Sequence, residues 1–429
     1  MPPDHSTDAG QASQLEALER EYAALGARNL DLNLTRGKPG AEQLALSDDL
    51  DGVLERDYRA ADGTDARNYA GLAGLPEARA LFGQILGVPP QETLVGGNAS
   101  LSLMYAVVDC ALREGLRGPG SAWNRQAGPV KFLCPSPGYD RHFTICEHLG
   151  IEMIAVPMLE SGPDMDIVEA RLREDATIRG MWCVPRFSNP TGCVYSDATV
   201  ERIAGLAHLA GDDFLVLWDN AYAVHALYDD AAPLASLRGA CEREGTLDSV
   251  FQFGSTSKIT FAGAGVGFAA SSPRNLQALQ DHLAVQTIGP DKVNQLRHVR
   301  FLRDAEQIAR HMSRHAELVR PRFECVLATL ERELGGAGMG TWSRPRGGYF
   351  VSFDTLPGLA SEVVRLAADI GVKLTPAGAT FPYGDDPRDT NIRLAPTYPT
   401  LEEVDAAAQA FALCVKLATL RHRANNPSA

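Results

Sequence analysis

The feature that most constrains this chain is a repeated alternation. Short, almost continuously apolar runs each end in a polar Gly/Pro/Ser/Asn loop and lead into a helical stretch. The runs are residues 130–134, 151–158, 179–185, 214–219 and 250–253, with a glycine-bearing run at 265–270. Strands apolar on both faces predict a mainly parallel sheet covered by helices on both sides. In that architecture ligands gather at the carboxyl ends of the strands. The loops at those ends are 96–100, 135–139, 188–192, 219–222 and 255–258. Their convergence on one edge predicts a site that no single loop establishes.

The segment Gly254-Ser255-Thr256-Ser257-Lys258-Ile259-Thr260-Phe261-Ala262-Gly263 sets a lysine between two such runs. A buried ammonium has its pKa lowered and becomes a usable amine nucleophile, which a Schiff-base lysine requires. Taken alone, the stretch also reads as a plain loop lysine beside a Ser/Thr turn. Upstream, Gly96-Gly97 and the helix start Asn98-Ala99-Ser100 form an anion site, since free N–H groups and the positive helix end face the loop. The glycine spacing is not G-x-G-x-x-G, so no dinucleotide is predicted. Asp219 can pair with a protonated heterocyclic nitrogen and keep it an electron sink, or can simply cap a helix. Tyr222 can donate its phenol to a ring oxygen, Asn189 to that oxygen or to a substrate carboxylate, and Tyr139 offers an aromatic face. Ser255 and Ser257 join the helix start as phosphate donors.

Asn189-Pro190-Thr191-Gly192, Asp219-x-x-Tyr222, Ser255-x-Ser257-Lys258 and Asn391-x-Arg393 together resemble the fold-type I pyridoxal-phosphate enzymes, and among them the aspartate aminotransferase superfamily. The motifs stand in the family's order over residues 36–393. With Leu34-Thr35-Arg36-Gly37-Lys38-Pro39, the Ala/Gly-rich segment after Lys258 resembles a divergent bacterial subgroup of aspartate aminotransferases. The resemblance implies an α/β fold: a large domain with a mainly parallel seven-stranded sheet between helices, plus a smaller α+β domain. It implies pyridoxal 5′-phosphate as cofactor, with Lys258 as Schiff-base lysine and acid/base. Asp219 would hold the ring nitrogen, Asn189 and Tyr222 the phenolate oxygen, Tyr139 the ring face, and Asn98, Ala99, Ser100, Ser255 and Ser257 the phosphate. Tyr69, in a Tyr-x-x-x-x-Gly pattern, would reach the neighbouring subunit's phosphate, implying a homodimer with shared sites. Arg393 would clamp the substrate α-carboxylate in the bidentate geometry a guanidinium favours.

One departure stands out: relatives place an arginine eight residues after the lysine, and this chain has Val266. The phosphate would then depend more on Ser255, Ser257 and backbone N–H groups. The implied reaction is ping-pong transfer of the amino group of L-aspartate to 2-oxoglutarate. Both substrates are dicarboxylic, so a second cation must meet the distal carboxylate. Arg36, beside Gly37 in the turn, is the first candidate; Lys38 and Lys292 are weaker ones. The alternatives are an aminotransferase for aromatic or other amino acids, a β-lyase using the same cofactor, and a non-enzymatic module that senses the cofactor, as in some transcription regulators. No winged-helix segment precedes the enzyme-like region.

The expected layout is an N-terminal arm (1–45), a large cofactor-binding domain (46–300) and a small domain (301–429), within the two or three domains that 429 residues allow. Residues 1–12 are polar and expected to be disordered, with a helix from about Ser13. Further expectations are a helix at 197–210, a long helix from 305 to 334, a strand at 347–353 and a closing helix from 401 to about 420. The net charge of −14, with no basic block, argues against nucleic acid or an anionic membrane as partner. The eight cysteines include no C-x-x-C pair and read as small buried hydrophobes in a reducing compartment, with no metal site. No signal peptide or membrane-spanning run is evident, so a cytoplasmic protein is expected.

Overall fold

The computed structural model describes residues 5–69 and 71–426. In chain order its strands are β1 (Leu32–Asn33), β2 (Thr93–Val95), β3 (Lys131–Ser136), β4 (Glu152–Leu159), β5 (Gly162–Pro163), β6 (Ile178–Cys183), β7 (Leu215–Asp219), β8 (Val250–Ser255), β9 (Gly267–Ala270), β10 (Gly340–Trp342), β11 (Val351–Thr355), β12 (Val372–Lys373) and β13 (Asn391–Leu394). The main sheet has the order β2-β9-β8-β7-β6-β3-β4-β5. From β4 through β3, β6 and β7 to β8 the pairing is parallel. β9 is antiparallel to both β8 and β2, and β5 folds back on β4. The expected seven strands are present, and the two-residue β5 adds an eighth at the edge.

The continuous apolar runs have a clear cause. All five residues of β7 are buried. Leu215 and Leu217 enter one core with Phe132, Trp182 and Phe251, while Val216 and Trp218 enter the opposite one with Met181, Val200 and Ile203. Each large side chain so buried contributes on the order of 2–3 kcal/mol. The covering helices start on side-chain caps: Ser196, Ser236, Ser272, Asp291 and Asp304 each accept an N–H from the first turn. The predicted helix at 197–210 is two pieces, Asp197–Ala204 and Ala207–Ala210, parted at Gly205. A glycine there costs helix about 1 kcal/mol relative to alanine.

A second sheet, β10-β11-β13, is antiparallel, and β1 pairs in parallel with β12. The helix Ala305–Leu334 runs on through Pro321, and Leu401–Asn425 packs against it and against the first helix. Leu18, Leu32, Leu34, Phe353 and Phe411 share this core. The first helix opens at His5, not Ser13, because a packed helix extends outward at little cost per residue; residues 1–4 of the expected disordered segment and 427–429 of the polar tail lie outside the described residues. The closing helix likewise continues to Asn425. The strand predicted from 347 begins only at Val351. Gly347 and Gly348 instead turn tightly against Phe187, where a Cβ on either would collide.

This topology assembles the site edge. The carboxyl ends of β3, β6, β7 and β8 open on one side, and β2 delivers residues 96–99 to the same side because β9 reverses twice between them. Gly267 makes that junction close: a Cβ there would stand 2.5 Å from the Ala99 carbonyl carbon.

Candidate active site

After β8 the chain makes one helical turn, with the N–H groups of Ile259 and Thr260 both donating to Thr256 O at 2.8 Å. This turn lifts Lys258 onto the sheet edge. Its Nζ lies 5.1 Å from the centre of the Tyr222 ring and 6.0 Å from that of Tyr349. Burial lowers its pKa, and the charge of Asp219 opposes that shift in part.

Asp219, the last residue of β7, is 2% exposed. Its Oδ2 is 3.1 Å from His142 Nε2, and the His142 ring is stacked on Trp182 at 4.2 Å. Its Oδ1 is buried with no protein partner. Leaving such an acceptor unmet costs about 1–3 kcal/mol, more for a charge, so the arrangement calls for a donor from a bound molecule. Tyr139 precedes the helix Asp140–Leu149 and meets His142 edge-on at 5.0 Å. Burial above all, with Asp219 adding to it, raises the phenol pKa of both Tyr139 and Tyr222, which keeps them protonated donors.

Arg393 comes from β13, opposite Ser352 of β11. Its Nη1 is 2.8 Å from Asp140 Oδ1 and 3.3 Å from Asn189 Oδ1, and its Nη2 is 3.5 Å from Thr375 Oγ1. The guanidinium lies 5.0 Å from the Phe350 ring centre, and Nε is buried without a partner. Nη1 is thus held by Asp140 and Asn189 and Nη2 by Thr375, while Nε has no protein partner among the described residues. Gly37 lies so close to Phe350 that a Cβ would collide with the ring. Phe350 therefore touches both Arg393 and the turn carrying Arg36, which is exposed and, among the described residues, makes no ion pair. Lys38 instead lies 3.8 Å over the Tyr398 ring, and Lys292 is buried beside Gly71.

The loop for the phosphate is only partly as expected. The Asn98 amide donates to Gly263 O at 2.6 Å, so this side chain ties two loops together. The helix Ser100–Arg113 starts directly behind it, capped by Ala99. The hydroxyls of Ser255 and Ser257 have no protein partner among the described residues. Val266 is 1% exposed, in a core with Ile259, Phe268 and Leu296, and its N–H donates to Thr256 Oγ1 at 2.8 Å. Arg297 lines an adjoining cavity of about 390 Å³ with Gly96 and Gly97, but its guanidinium is held by Asp51 and Leu50 O. Tyr69 is 75% exposed and stands apart from the cluster; Ala70, beside it, lies outside the described residues.

Sequence reasoning missed His142, Asp140, Tyr349, Phe350 and Thr375. His142 had a signal, since it lies three residues after Tyr139 at a helix start and so shares its face. The other four act through tertiary neighbours with no local motif. A cavity of about 970 Å³ lies behind the Asn189 turn between β4 and β10; Ser136, Pro137, Thr191 and Gly192 of the converging loops line it, but none of the side chains assigned a site role does. Cys110, Glu114 and His282 also approach one another, but His282 is bonded to Glu114 and the Cys110 thiol donates to Ala278 O.

A family model described as aspartate amino-transferase matches residues 6–427. An aspartate aminotransferase of Corynebacterium glutamicum is 44% identical over 411 residues, which cover 96% of this chain and 94% of that one. The chain belongs to the aspartate aminotransferase family.

A Mycolicibacterium smegmatis protein is 48% identical over 95% of both chains. The crystal structure of an aspartate transaminase from Corynebacterium glutamicum superposes with a TM-score of 0.93 at 43% identity, over 96% of this chain and 97% of that one. Membership makes this protein an aminotransferase of fold type I whose cofactor is pyridoxal 5′-phosphate. The residues present fit that group. Asp219 Oδ1 is the unmet buried acceptor that a ring N–H would satisfy, and a Cβ at Gly97 or Gly263 would meet open space beside the helix start. Among the described residues no helix is long and apolar enough to cross a membrane.

Proposed function

We propose that this aminotransferase moves the amino group of L-aspartate to 2-oxoglutarate by a ping-pong mechanism. The observation that carries the reading is the pair of cations around Phe350: Arg393, whose Nε has no protein partner, and Arg36, which makes no ion pair, both among the described residues. A dicarboxylic substrate needs two cations, one for each end. The name of the 44% identical relative supports the same substrate.

Bound, the cofactor supplies an electron-withdrawing ring that stabilises negative charge at the substrate α-carbon. Lys258 Nζ takes the α-proton and returns it, a task suited to an amine whose pKa burial has lowered. Asp219, held by His142, would meet the ring nitrogen. Tyr222 and the Asn189 amide would donate to the ring oxygen. Asn189 Oδ1 accepts from Arg393, so one side chain relates cofactor to substrate. Arg393 binds the α-carboxylate through Nε and Nη2, and Arg36 binds the distal one. Ala99, Ser100, Ser255 and Ser257 would hold the phosphate without an arginine at 266.

We also infer a homodimer in which Tyr69 reaches the partner's phosphate, and a division of the chain at about residues 45 and 300. Sedimentation and limited proteolysis test these two points. The substrate reading is tested with a panel of amino donors against 2-oxoglutarate, for the wild type and Arg36→Ala. The variant should lose activity with aspartate at least tenfold more than with alanine, a difference of about 1.4 kcal/mol. Equal loss on both removes Arg36 from the distal role. A wild type that prefers aromatic donors, or that eliminates without transamination, overturns the substrate.

A further inference from the structure

The turn carrying Lys258 is one helical turn long, so its last carbonyls have no helical N–H to bind. No backbone N–H among the described residues reaches Lys258 O or Ile259 O. Imidazoles do so instead. His225 Nε2 lies 3.2 Å from Lys258 O, His311 Nε2 lies 2.7 Å from Ile259 O, and His298 Nε2 lies 2.8 Å from Thr260 Oγ1. Three consecutive residues are thus met by three histidines from three elements: the loop after β7, the helix Ala305–Leu334 and the helix Lys292–Leu302.

A second layer closes the arrangement into a ring. His315 Nε2 sits 3.1 Å from His311 Nε2. Its Nδ1 is 3.3 Å from the Gln43 amide nitrogen, which also donates to Tyr349 OH at 3.1 Å. Tyr349 OH in turn donates to Lys258 O at 3.4 Å. Donor chemistry assigns the protons. A carbonyl only accepts, so His225 and His311 carry hydrogen on Nε2; His315 accepts at Nδ1 and carries its hydrogen on Nε2 as well. His298 donates from Nδ1 to Asn294 O at 2.8 Å, so its Nε2 accepts from Thr260. The rings are neutral in this pattern, with His225 Nδ1 buried and unpartnered among the described residues, and second protons on both His311 and His315 would set two like charges side by side.

We propose that His225, His311 and His298 are positioning residues for Lys258, the first two holding the backbone of its turn and His298 the Thr260 side chain, all as neutral imidazoles, so that Nζ stays over Tyr222. The inference rests on Lys258 being the cofactor's lysine. None of the three touches the reacting atoms. They act by meeting groups of the short turn that it leaves unpaired, while Gln43, through His315, and Tyr349, through Lys258 O, tie the arrangement to the N-terminal segment and to the Gly347–Phe350 turn.

The test compares His311→Phe, which keeps a ring and loses the donor, with His311→Gln, whose amide reaches toward the place of Nε2. In the holoenzyme, His311→Phe should move the pH midpoint of the cofactor's absorbance by about half a unit or more and lower kcat roughly tenfold at little-changed KM. His311→Gln should recover most of both. A His311→Phe enzyme with wild-type midpoint and kcat overturns the proposal, as does a His311→Gln enzyme no better than His311→Phe. If neither variant folds, 15N NMR of histidine-labelled wild-type holoenzyme decides. His225, His311 and His315 should be neutral with Nε2–H, and His298 neutral with Nδ1–H, from about pH 6 to 8; charged rings or the opposite tautomers overturn it. Retention of the cofactor's absorbance by Lys258→Ala would instead refute the assignment of Lys258, a separate outcome.

Discussion

Arg393 Nη1 and Asp140 Oδ1 stand 2.8 Å apart, joining β13 to the start of the helix that follows β3. The pair is largely buried on the arginine side and fixes which edge of the guanidinium faces the cleft. Asp140→Asn should therefore weaken substrate binding without removing the cation. KM for aspartate should rise roughly tenfold, kcat should change less, and Arg393→Lys should cost roughly a hundredfold in kcat/KM because a point charge cannot grip a carboxylate bidentately. Steady-state kinetics of the two variants checks both.

His142 is the only side chain hydrogen-bonded to Asp219 among the described residues. His142→Phe keeps an aromatic ring for Trp182 and removes the hydrogen bond, leaving the carboxylate with neither oxygen met by protein. Cofactor should dissociate roughly tenfold more readily, a change of about 1.4 kcal/mol, and the apo protein's melting temperature should fall as well, because a second buried acceptor loses its donor. Equilibrium dialysis measures the first and circular dichroism the second.

Much of this was legible in the sequence, and the reason is geometric. Parallel strands place their following loops on one edge, so Asn189, Asp219 and Lys258 could be gathered from the order of apolar runs alone. Residues that act through tertiary neighbours were not legible. Asp140 matters only because Arg393 arrives from a second sheet, and Phe350 only because Gly347 and Gly348 turn the chain before β11. The sequence points to the helix start at Asn98 as an anion site but gives no sign that the Asn98 side chain bonds to Gly263 O. The four buried histidines lie on three separate elements, and no spacing in sequence announces that they surround one turn.

Restoring the arginine that relatives carry should harm this protein. Val266 is in the core, so Val266→Arg buries an unpaired guanidinium and should destabilise the fold by about 3–5 kcal/mol. Denaturant unfolding measures that loss, and no gain in cofactor affinity should accompany it.

Acid should destabilise the protein well above the carboxylate range. Burial first of all lowers His225 to about 3 and His298 and His315 to about 4, from 6.5 in the unfolded chain. The unfolded state then takes up protons that the folded state refuses. Stability is full above about pH 6.5 and falls as pH drops toward 4, by up to about 1.4 kcal/mol per pH unit for each histidine. Melting temperature followed from pH 7 to about 4.5 should show this, with a shallower slope for His225→Phe.

The central claim is that Lys258 carries the cofactor. Borohydride reduction of the holoenzyme, followed by proteolysis and mass spectrometry, tests it most directly. The phosphopyridoxyl group should be found on the peptide containing Lys258, and Lys258→Ala should show neither that adduct nor multiple turnover. An adduct on another lysine, or sustained turnover by Lys258→Ala, would contradict the account.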